Sequence, residues 1–261
     1  MVVTVSNQKG GVGKTTTAAA LAAGLAAFGR RVLCVDLDPQ GNLGFCLGLE
    51  NGAAHTVLDA MSGTVPVQEA ICRAQDVDLL SADITLSGAV DELRREKREF
   101  VLRDTLSPVA AQYDDIVIDT PPSLNLLTVN AYAVSQYLII PMASDILSLV
   151  GVSQLGETVA SVRAALNPRL SVMGILLTRY NGRTCLARDV REMAGELAKQ
   201  LETRVFETTI RSGVAIAEAP AHGESIFSFN PRAGAVRDYR AFVEEAAALA
   251  GLAGIEAKRQ A

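Results

Sequence analysis

The feature that most constrains the fold is a regular alternation of apolar runs with helix-like patterns along the chain. Several of the apolar runs are continuous rather than alternating, as expected of parallel strands that are covered on both faces. The predicted strands are Val2–Ser6, Val32–Asp36, Val77–Ser81, Asp115–Asp119, Tyr137–Pro141, Val172–Thr178 and Val205–Ile210. The predicted helices are Thr15–Phe28, Gly88–Gln112, Leu124–Val134, Leu149–Leu166, Leu186–Leu201 and Ala233–Leu249. This alternation predicts an α/β fold with a doubly wound, mostly parallel sheet flanked by helices.

Length and composition favour one domain. The chain has 261 residues, of which 49% are hydrophobic, and its formal net charge is −5. This apolar content excludes disorder over most of the length, and no run reaches the roughly 18 uncharged apolar residues of a membrane-spanning helix. The chain has no internal repeat and no linker rich in Pro, Gly or Ser. We therefore expect one domain over residues 1–261, with the last ~10 residues able to form a flexible tail. The first residues do not resemble a secretory signal, so we expect a cytoplasmic protein.

A glycine-rich segment lies between the first predicted strand and the first predicted helix. It reads Asn7-Gln8-Lys9-Gly10-Gly11-Val12-Gly13-Lys14-Thr15-Thr16-Thr17. Glycines leave backbone N–H groups free to curl around phosphate oxygens, and the following helix directs its positive end at the same anion. In such a loop Lys14 reaches the β- and γ-phosphates, and the Thr15 hydroxyl coordinates Mg²⁺. The segment therefore predicts a nucleotide phosphate site.

Two details distinguish this loop from other glycine-rich loops. The usual pattern G-x-x-x-x-G-K-[ST] requires glycine at position 8, where this chain has Gln8, and the chain carries an additional lysine, Lys9. A dinucleotide-binding fingerprint is excluded because Lys14 and Thr15, rather than a further glycine, follow Gly13.

Three aspartates close strand patterns. Asp36 and Asp38 lie at the end of the second predicted strand, and Asp119 ends the fourth. Open α/β sheets bind ligands at the edge formed by the carboxyl ends of their strands, so these carboxylates should lie beside the phosphate loop. Since Mg²⁺ takes few protein ligands and keeps several waters, carboxylates close to the metal are expected.

The segment Lys9–Thr16, KGGVGKTT, resembles the deviant Walker A motif of the ParA/MinD family of ATPases. The resemblance covers nearly the whole chain and continues in VDLDPQGN at 35–42, IVIDTPPS at 116–123, LTRYNGRT at 177–184 and EAPAHG at 218–223. Within the family the chain looks most like the ParA (Soj-type) DNA-segregation branch. The resemblance implies a P-loop ATP hydrolase that uses ATP and Mg²⁺.

The resemblance also implies roles for the acidic residues. Asp119 would be the Walker B residue that holds Mg²⁺ through water, and Asp36 would support the metal shell. Asp38 would position and polarise the attacking water. The turn at Pro121-Pro122-Ser123 would be a switch that senses the γ-phosphate.

Lys9 is the lysine that, in the resembled family, crosses into the partner protomer and neutralises its phosphates. The resemblance therefore implies an ATP-dependent homodimer that encloses two nucleotides, with Lys9, Lys14 and Asp38 as the catalytic residues. Lys9 would then act like an arginine finger supplied in trans, which raises the rate of phosphoryl transfer roughly 10³–10⁵-fold.

The same resemblance suggests where the base and DNA bind. It places adenine near the segment after the Val205–Ile210 strand, where Arg211 and Gly213 are candidate base contacts. Arg183 matches a DNA-contact position of the family, and Arg211 could replace a second such arginine. Because non-specific DNA binding needs several weak phosphate contacts, a dimer that doubles their number would bind DNA of any sequence more tightly than a monomer.

These features predict a partitioning ATPase on the nucleoid, stimulated by a ParB-like partner, that segregates a chromosome, plasmid or other cargo. The alternative is a MinD-like membrane-associated ATPase, which needs a basic amphipathic C-terminal helix. Residues 251–261 are instead interrupted by glycine and poor in bulky apolar residues. An electron-transfer protein of the nitrogenase-iron-protein type would need cysteines soon after the Walker B region, and none of the four occurs there. A non-hydrolytic adaptor would not need Asp38 and Asp119.

Overall fold

The structure is a computed structural model that describes residues 1–49, 52–89 and 97–252. Within these ranges the chain forms a seven-stranded sheet with apolar layers on both faces. The strands are β1 (Val2–Val5), β2 (Val32–Asp36), β3 (Ile71–Ala74), β4 (Val77–Leu80), β5 (Asp115–Asp119), β6 (Tyr137–Ala143) and β7 (Ser171–Thr178). The helices are α1 (Lys14–Ala27), α2 (Asn42–Cys46), α3 (Val57–Ser62), α4 (Val67–Ala70), α5 (Leu86–Ala89), α6 (Val101–Leu106), α7 (Leu126–Val134), α8 (Ile146–Ala165), α9 (Cys185–Gln200), α10 (Val214–Ala221), α11 (Ile226–Phe229) and α12 (Gly234–Leu249).

The strand order brings the carboxyl ends of three strands together. The order is β3-β4-β2-β5-β1-β6-β7, and every neighbouring pair is parallel except β3–β4. β5 lies between β1 and β2, so Asp119 is opposite Val5 on one side and Asp36 on the other. The loops that leave β1, β2 and β5 therefore meet at one edge of the sheet, the edge at which open α/β sheets bind ligands.

Alternate residues of each strand face opposite sides, so the sheet buries two apolar layers. In β2, Leu33 packs into the layer that includes α7 and α8, whereas Cys34 packs into the layer that includes α1 and α12. α1 and α12 pack so closely at Gly24 that a Cβ on this residue would lie only 2.7 Å from a methyl carbon of Val243. This contact holds the helix after the glycine-rich loop tightly against its neighbour.

The expected α/β fold with a mostly parallel sheet flanked by helices is confirmed. The predicted strand Val205–Ile210 is wrong, because this segment makes only an isolated bridge between Ile175 and Val205. Its N–H groups at Glu207 and Thr208 donate to the carboxylate of Glu245 on α12, at 2.8 and 2.9 Å. A side chain from a helix therefore takes hydrogen bonds that a strand ladder would use.

The predicted helix Gly88–Gln112 is not continuous: α5 ends at Ala89, and within the rest of that range only Val101–Leu106 (α6) is α-helical after residue 97. Residues 90–96 lie outside the described ranges, and α6 is flanked by short 3₁₀ turns at Arg98–Phe100 and Ala110–Gln112. Lys97 has a φ of +61°, which does not fit a right-handed helix, and Pro108 lacks the N–H that a continuing helix would need.

The antiparallel strand β3 was not predicted. It pairs with β4 across a tight turn at Gln75-Asp76, where Gln75 has a φ of +49°. The sequence could have indicated this hairpin, because two short apolar runs flank two turn-forming residues.

The prediction of one domain over residues 1–261 stays a prediction, and the predicted tail lies almost entirely beyond residue 252, outside the described ranges. No helix in the ranges listed above is long and apolar enough to span a membrane.

Candidate active site

The glycine-rich loop joins β1 to α1 in a conformation that only glycine adopts easily. Gly11 and Gly13 have φ values of +73° and +87°. A Cβ at Gly10 or Gly11 would meet no atom within 4 Å, so the space beside these two residues is open. Gly13 precedes α1 and provides no side-chain cap. The first N–H groups of α1 are therefore available to an anion in the loop.

Side-chain hydrogen bonds tie this loop to β6 and β7. Asn7 donates to the carbonyl of Pro141 in β6 at 2.7 Å, and its Oδ1 accepts the N–H of Lys9 at 3.0 Å. Thr178, the last residue of β7, donates to the carbonyl of Val12 at 2.9 Å. Contacts within the chain therefore define the shape of the loop. Asn7 was not among the predicted site residues, although its position just after β1 could have indicated a role in the loop.

Lys14 places a positive charge at the start of α1. Its side chain is buried, with the residue only 7% exposed, and Nζ donates to the carbonyl of Lys9 at 3.1 Å. Burial lowers the pKa of Lys14, while the nearby carboxylates of Asp119 and Asp38 raise it. The ammonium group thus lies near two acids and at an open anion cradle, as a phosphate-binding lysine requires.

Asp119 ends β5 with an unsatisfied carboxylate oxygen. Oδ1 accepts the N–H of Thr120 at 3.1 Å, whereas the buried Oδ2 has no hydrogen-bond partner in the described part of the chain. Burial raises the pKa of Asp119 to about 7, against the opposing effects of the Thr15 hydroxyl and the Lys14 ammonium. A buried acceptor without a partner is costly, so this oxygen fits a water of a bound cation.

Asp36 and Asp38 shape the loop after β2. Both oxygens of Asp36 accept backbone N–H groups, from Asp38 at 2.9 Å and from Leu43 at 3.1 Å, and burial raises the pKa of Asp36. Asp38 is nearly buried, with the residue 9% exposed, and accepts the N–H of Gln40 at 3.1 Å. Asp36 thus holds the segment that presents Asp38, and its support of a metal shell stays a prediction.

These residues fit Mg²⁺ bound together with a nucleotide. No cluster of three or more His, Cys, Asp or Glu side chains that could hold a metal occurs in residues 1–49, 52–89 and 97–252. Mg²⁺ commonly relies on one or two protein ligands, substrate phosphates and water. Thr15 and Asp119 could supply such contacts here, with Lys14 beside them.

Lys9 makes a contact that its sequence position did not predict. Its Nζ donates to Oδ1 of Asp145 at 2.5 Å and lies 3.2 Å from Oγ of Ser148. Asp145 also caps α8 by accepting the N–H of Ser148 at 2.9 Å. Within a single chain, the ammonium group of Lys9 is therefore held at the N-terminus of α8. Asp145 comes soon after the end of β6, just as the other aspartates lie at or near the ends of their strands. That position could have identified Asp145 as a site residue from the sequence.

The same edge of the sheet exposes large apolar side chains. Exposed residues of this kind follow the carboxyl ends of β2, β4, β5, β6 and β7: Phe45, Ile84, Leu124, Ile146, Leu147, Val150 and Leu186. Exposed apolar side chains gathered on one face mark a surface that another molecule can cover.

A cavity of about 270 Å³ opens beside the phosphate loop. One wall comes from the loop and α1, and another from the segment after residue 209 and from α10. The lining residues are Val12, Gly13, Thr16, Thr178, Arg179, Ile210, Arg211, Ser212, Gly213, Ile216, Ala217 and Tyr239. The cavity contains both predicted base contacts, and its size suits a small ligand group.

The two predicted DNA-binding arginines differ in their surroundings. Arg183 is exposed in the loop between β7 and α9, where its N–H donates to Oδ1 of Asn181 at 3.3 Å. Arg211 instead makes an ion pair with Asp238 of α12, with Nε and Oδ2 2.7 Å apart. The Arg183 loop and the Arg211 segment are linked, because the N–H of Tyr180 donates to the carbonyl of Ile210 at 2.9 Å.

Comparisons with known proteins agree with this geometry. A family model described as an AAA domain matches residues 1–172. The chain is 41% identical to the chromosome partitioning protein ParA of Myxococcus xanthus, over 94% of this chain and 87% of that protein. It is 42% identical to the chromosome-partitioning ATPase Soj of Thermus thermophilus, over 93% of this chain and 94% of that protein.

Solved structures match over similar lengths. Cobyrinic acid a,c-diamide synthase from Mycobacterium smegmatis, with bound ADP and magnesium, is 35% identical, with a TM-score of 0.79 and coverage of 93% of this chain and 92% of that one. The ATP complex of the D38A variant of Cyanothece McdA has a TM-score of 0.84 at 23% identity, covering 97% of each chain, which shows the fold alone.

Proposed function

Because the chain belongs to the ParA/MinD family of ATPases, we propose that it is a ParA-type partitioning ATPase that acts as an ATP-dependent dimer on DNA. It is an ATP hydrolase whose cofactors are ATP and Mg²⁺. Relatives named for chromosome partitioning are 38–42% identical over 93–94% of this chain, which supports partitioning over the synthase reaction named for the Mycobacterium smegmatis structure. In this proposal residues 1–261 form one ATPase domain.

The nucleotide site would work through charges already held in place. Backbone N–H groups of residues 9–16 and the ammonium group of Lys14 bind the phosphates. Thr15 and Asp119 hold Mg²⁺, which when bound neutralises charge on the phosphate oxygens. Asp38, presented by the loop that Asp36 fixes, accepts a hydrogen bond from the attacking water. The turn at residues 121–123, next to Asp119, responds to the γ-phosphate.

Dimerisation is the step that the surface of the molecule supports most directly. The exposed apolar side chains lie around the nucleotide edge, so a second copy facing this edge would bury them together with both nucleotides. Lys9 lies on the same edge and is 31% exposed. To reach a phosphate of the facing copy its ammonium group must leave Asp145, and a triphosphate offers more negative charge than one carboxylate. The main support for the proposal is that Lys9 lies on the same edge of the sheet as the nucleotide site and the exposed apolar side chains.

The test compares Lys9→Ala with Lys199→Ala, which removes an exposed lysine from α9 far from the phosphate loop. With a slowly hydrolysed ATP analogue, sedimentation velocity should show dimers of the unaltered protein and of Lys199→Ala. Lys9→Ala should still bind ATP by calorimetry but stay monomeric and inactive. Dimers of Lys9→Ala that depend on ATP would contradict the proposed role of this lysine.

DNA binding would follow from dimerisation. Each chain offers Arg183, so a dimer brings two such arginines and their neighbours to the phosphate backbone. Arg183→Ala should bind DNA more weakly in the ATP state, with a salt slope reduced by about 2 if each chain loses one contact. Arg169→Ala is the matched control, since Arg169 is exposed before β7, at the opposite end of that strand. Equal DNA binding by both variants would argue against Arg183.

The activating partner and the cellular location complete the proposal. A ParB-like protein would stimulate hydrolysis, and the dimer would associate with the nucleoid in the cytoplasm. ATPase rates that rise with DNA and steeply with protein concentration would agree with this scheme. Sedimentation of the ATP-bound protein with anionic phospholipid vesicles, but not with DNA, would favour the membrane alternative.

A further inference from the structure

We propose that Arg211 is a positioning residue for the base end of the ATP site, and that it acts through Asp238 of α12 rather than by contacting DNA. This inference rests on the proposed binding of ATP at this site. It does not depend on dimerisation, on DNA binding or on a partner protein.

Asp238 fixes Arg211 through three hydrogen bonds. Its Oδ2 accepts the backbone N–H of Arg211 at 3.0 Å and Nε at 2.7 Å, and its Oδ1 accepts from Nη2 at 2.9 Å. Exposed ion pairs usually contribute little, but this pair is bidentate and includes the backbone, and the side chain of Asp238 is only 12% exposed. Asp238 takes the Nε and Nη2 edge of the guanidinium group, so a DNA phosphate would have to displace it to make the same bidentate contact.

The segment that carries Arg211 also lies directly on the first turn of α12. A Cβ at Gly213 would lie 2.7 Å from Cβ of Ala235, and a Cβ at Gly234 would lie 3.1 Å from Cδ of Arg211. This segment is not a strand and has few sheet hydrogen bonds. Ile210 is tied to β7, because its N–H donates to the carbonyl of Leu177 at 2.8 Å. The residues after it, 211–213, contact α12 instead, so their place beside the cavity depends on that helix.

The second turn of α12 reaches the phosphate end of the cavity. Tyr239, which follows Asp238, has its hydroxyl 3.3 Å from Oγ1 of Thr17 in α1. That hydroxyl also lies 3.8 Å from the position of a Cβ on Gly13. Consecutive residues of α12 thus contact the two walls of the cavity. Loss of the Arg211–Asp238 pair should free the base-side wall and leave the phosphate side in place.

The test measures ATP affinity by calorimetry for Arg211→Ala and Asp238→Asn. Both variants should raise the Kd for ATP about five- to tenfold, which corresponds to loss of roughly 1–1.4 kcal/mol. Arg211→Lys should not restore affinity, because an ammonium group cannot make the bidentate contact. Arg237→Ala, which removes an exposed arginine from the same helix, should leave the Kd unchanged.

Two further measurements separate positioning from general loss of structure. In the ATP-bound state of Arg211→Ala, amide hydrogens of residues 210–216 should exchange faster than in the unaltered protein, while those of residues 10–16 keep their protection. The charge-reversed pair, Arg211→Asp with Asp238→Arg, should recover part of the ATP affinity that Arg211→Asp alone loses.

Two results would overturn the inference. One is an unchanged Kd for ATP in Arg211→Ala. The other is a normal ATP affinity in Asp238→Asn together with a reduced one in Arg211→Ala, which would mean that Arg211 touches the nucleotide itself. With nucleotide saturating, Arg211→Ala should retain the DNA affinity of the unaltered protein. A loss of DNA affinity there would be a third contrary result, because it would show that Arg211 contacts DNA. If the unaltered protein binds no DNA, the proposed function fails while the ATP measurements still decide the role of Arg211.

Discussion

The two ends of the nucleotide cavity are held by different kinds of interaction. At the phosphate end the loop is tied to β6 and β7 by Asn7 and Thr178, and its charged residues, Lys14 and Asp119, are buried. At the base end Ile210 is still tied to β7, but the irregular segment after it is held to α12 by the pair of Asp238 and Arg211, and the Arg211 side chain is 60% exposed.

This difference indicates which part of the site tolerates amino-acid substitution. A buried charge or a glycine with positive φ has few substitutes, because any replacement leaves an unpaired group or a strained backbone. A pair of surface side chains is worth less, and other pairs can replace it. We therefore expect substitutions at the phosphate end to have larger effects than those at the base end.

The largest effect should come from Lys14→Ala. Removing this ammonium group should weaken ATP binding about 100-fold, since a hydrogen bond to a charged group contributes up to about 3 kcal/mol. Calorimetry with ATP and Mg²⁺ measures it, with Lys199→Ala as the control. A loss no greater than that of Arg211→Ala would remove the contrast between the two ends.

Asp119→Asn should change the pH dependence of stability in the absence of nucleotide. A carboxyl group with a pKa of about 7 in the folded chain and near 3.8 when unfolded binds more protons when folded. It therefore lowers stability as pH rises from about 4 to 7, and the loss persists at higher pH. At pH 8 the asparagine variant should be more stable by about 2 kcal/mol in urea unfolding. The difference should vanish near pH 4, and a gain that is independent of pH would contradict this account.

Gly13→Ala should destabilise the nucleotide-free protein by about 1 kcal/mol. The left-handed conformation at φ +87° costs a residue with a Cβ roughly 1–2 kcal/mol, partly offset by the lower entropy of its unfolded chain. Gly10→Ala is the matched control in the same loop, because a Cβ there meets no atom within 4 Å and Gly10 has no positive φ. Equal urea midpoints for the two variants would show that the loop relaxes freely.

Arg179→Gly, at the base end, should have the smallest effect. Arg179 has a φ of +50°, so glycine would relieve strain but also raise the entropy of the unfolded chain. We expect a stability change within about 0.5 kcal/mol by urea unfolding. A destabilisation above about 1 kcal/mol would show that this side chain helps to hold the base end, against the proposed contrast.

Much of the phosphate end could be predicted because its signals are local. The loop from Lys9 to Thr16 lies between a strand and a helix, and Asp119 ends an apolar run, so the pattern of a few residues sufficed. The base end was predicted less well. The expected strand at Val205–Ile210 fails because Glu245, far along the chain on α12, accepts two of its N–H groups.

The sequence by itself determined the alternation of strands and helices, the glycine conformations of the phosphate loop and the place of the aspartates at strand ends. Each of these depends on residue type and short-range period. Only the tertiary structure decided that Lys9 is held by Asp145, 136 residues away, and that Arg211 is paired with Asp238, 27 residues away. The physical reason is that such contacts exist only after the crossovers have set the strand order and α12 has packed on α1, which no local pattern records.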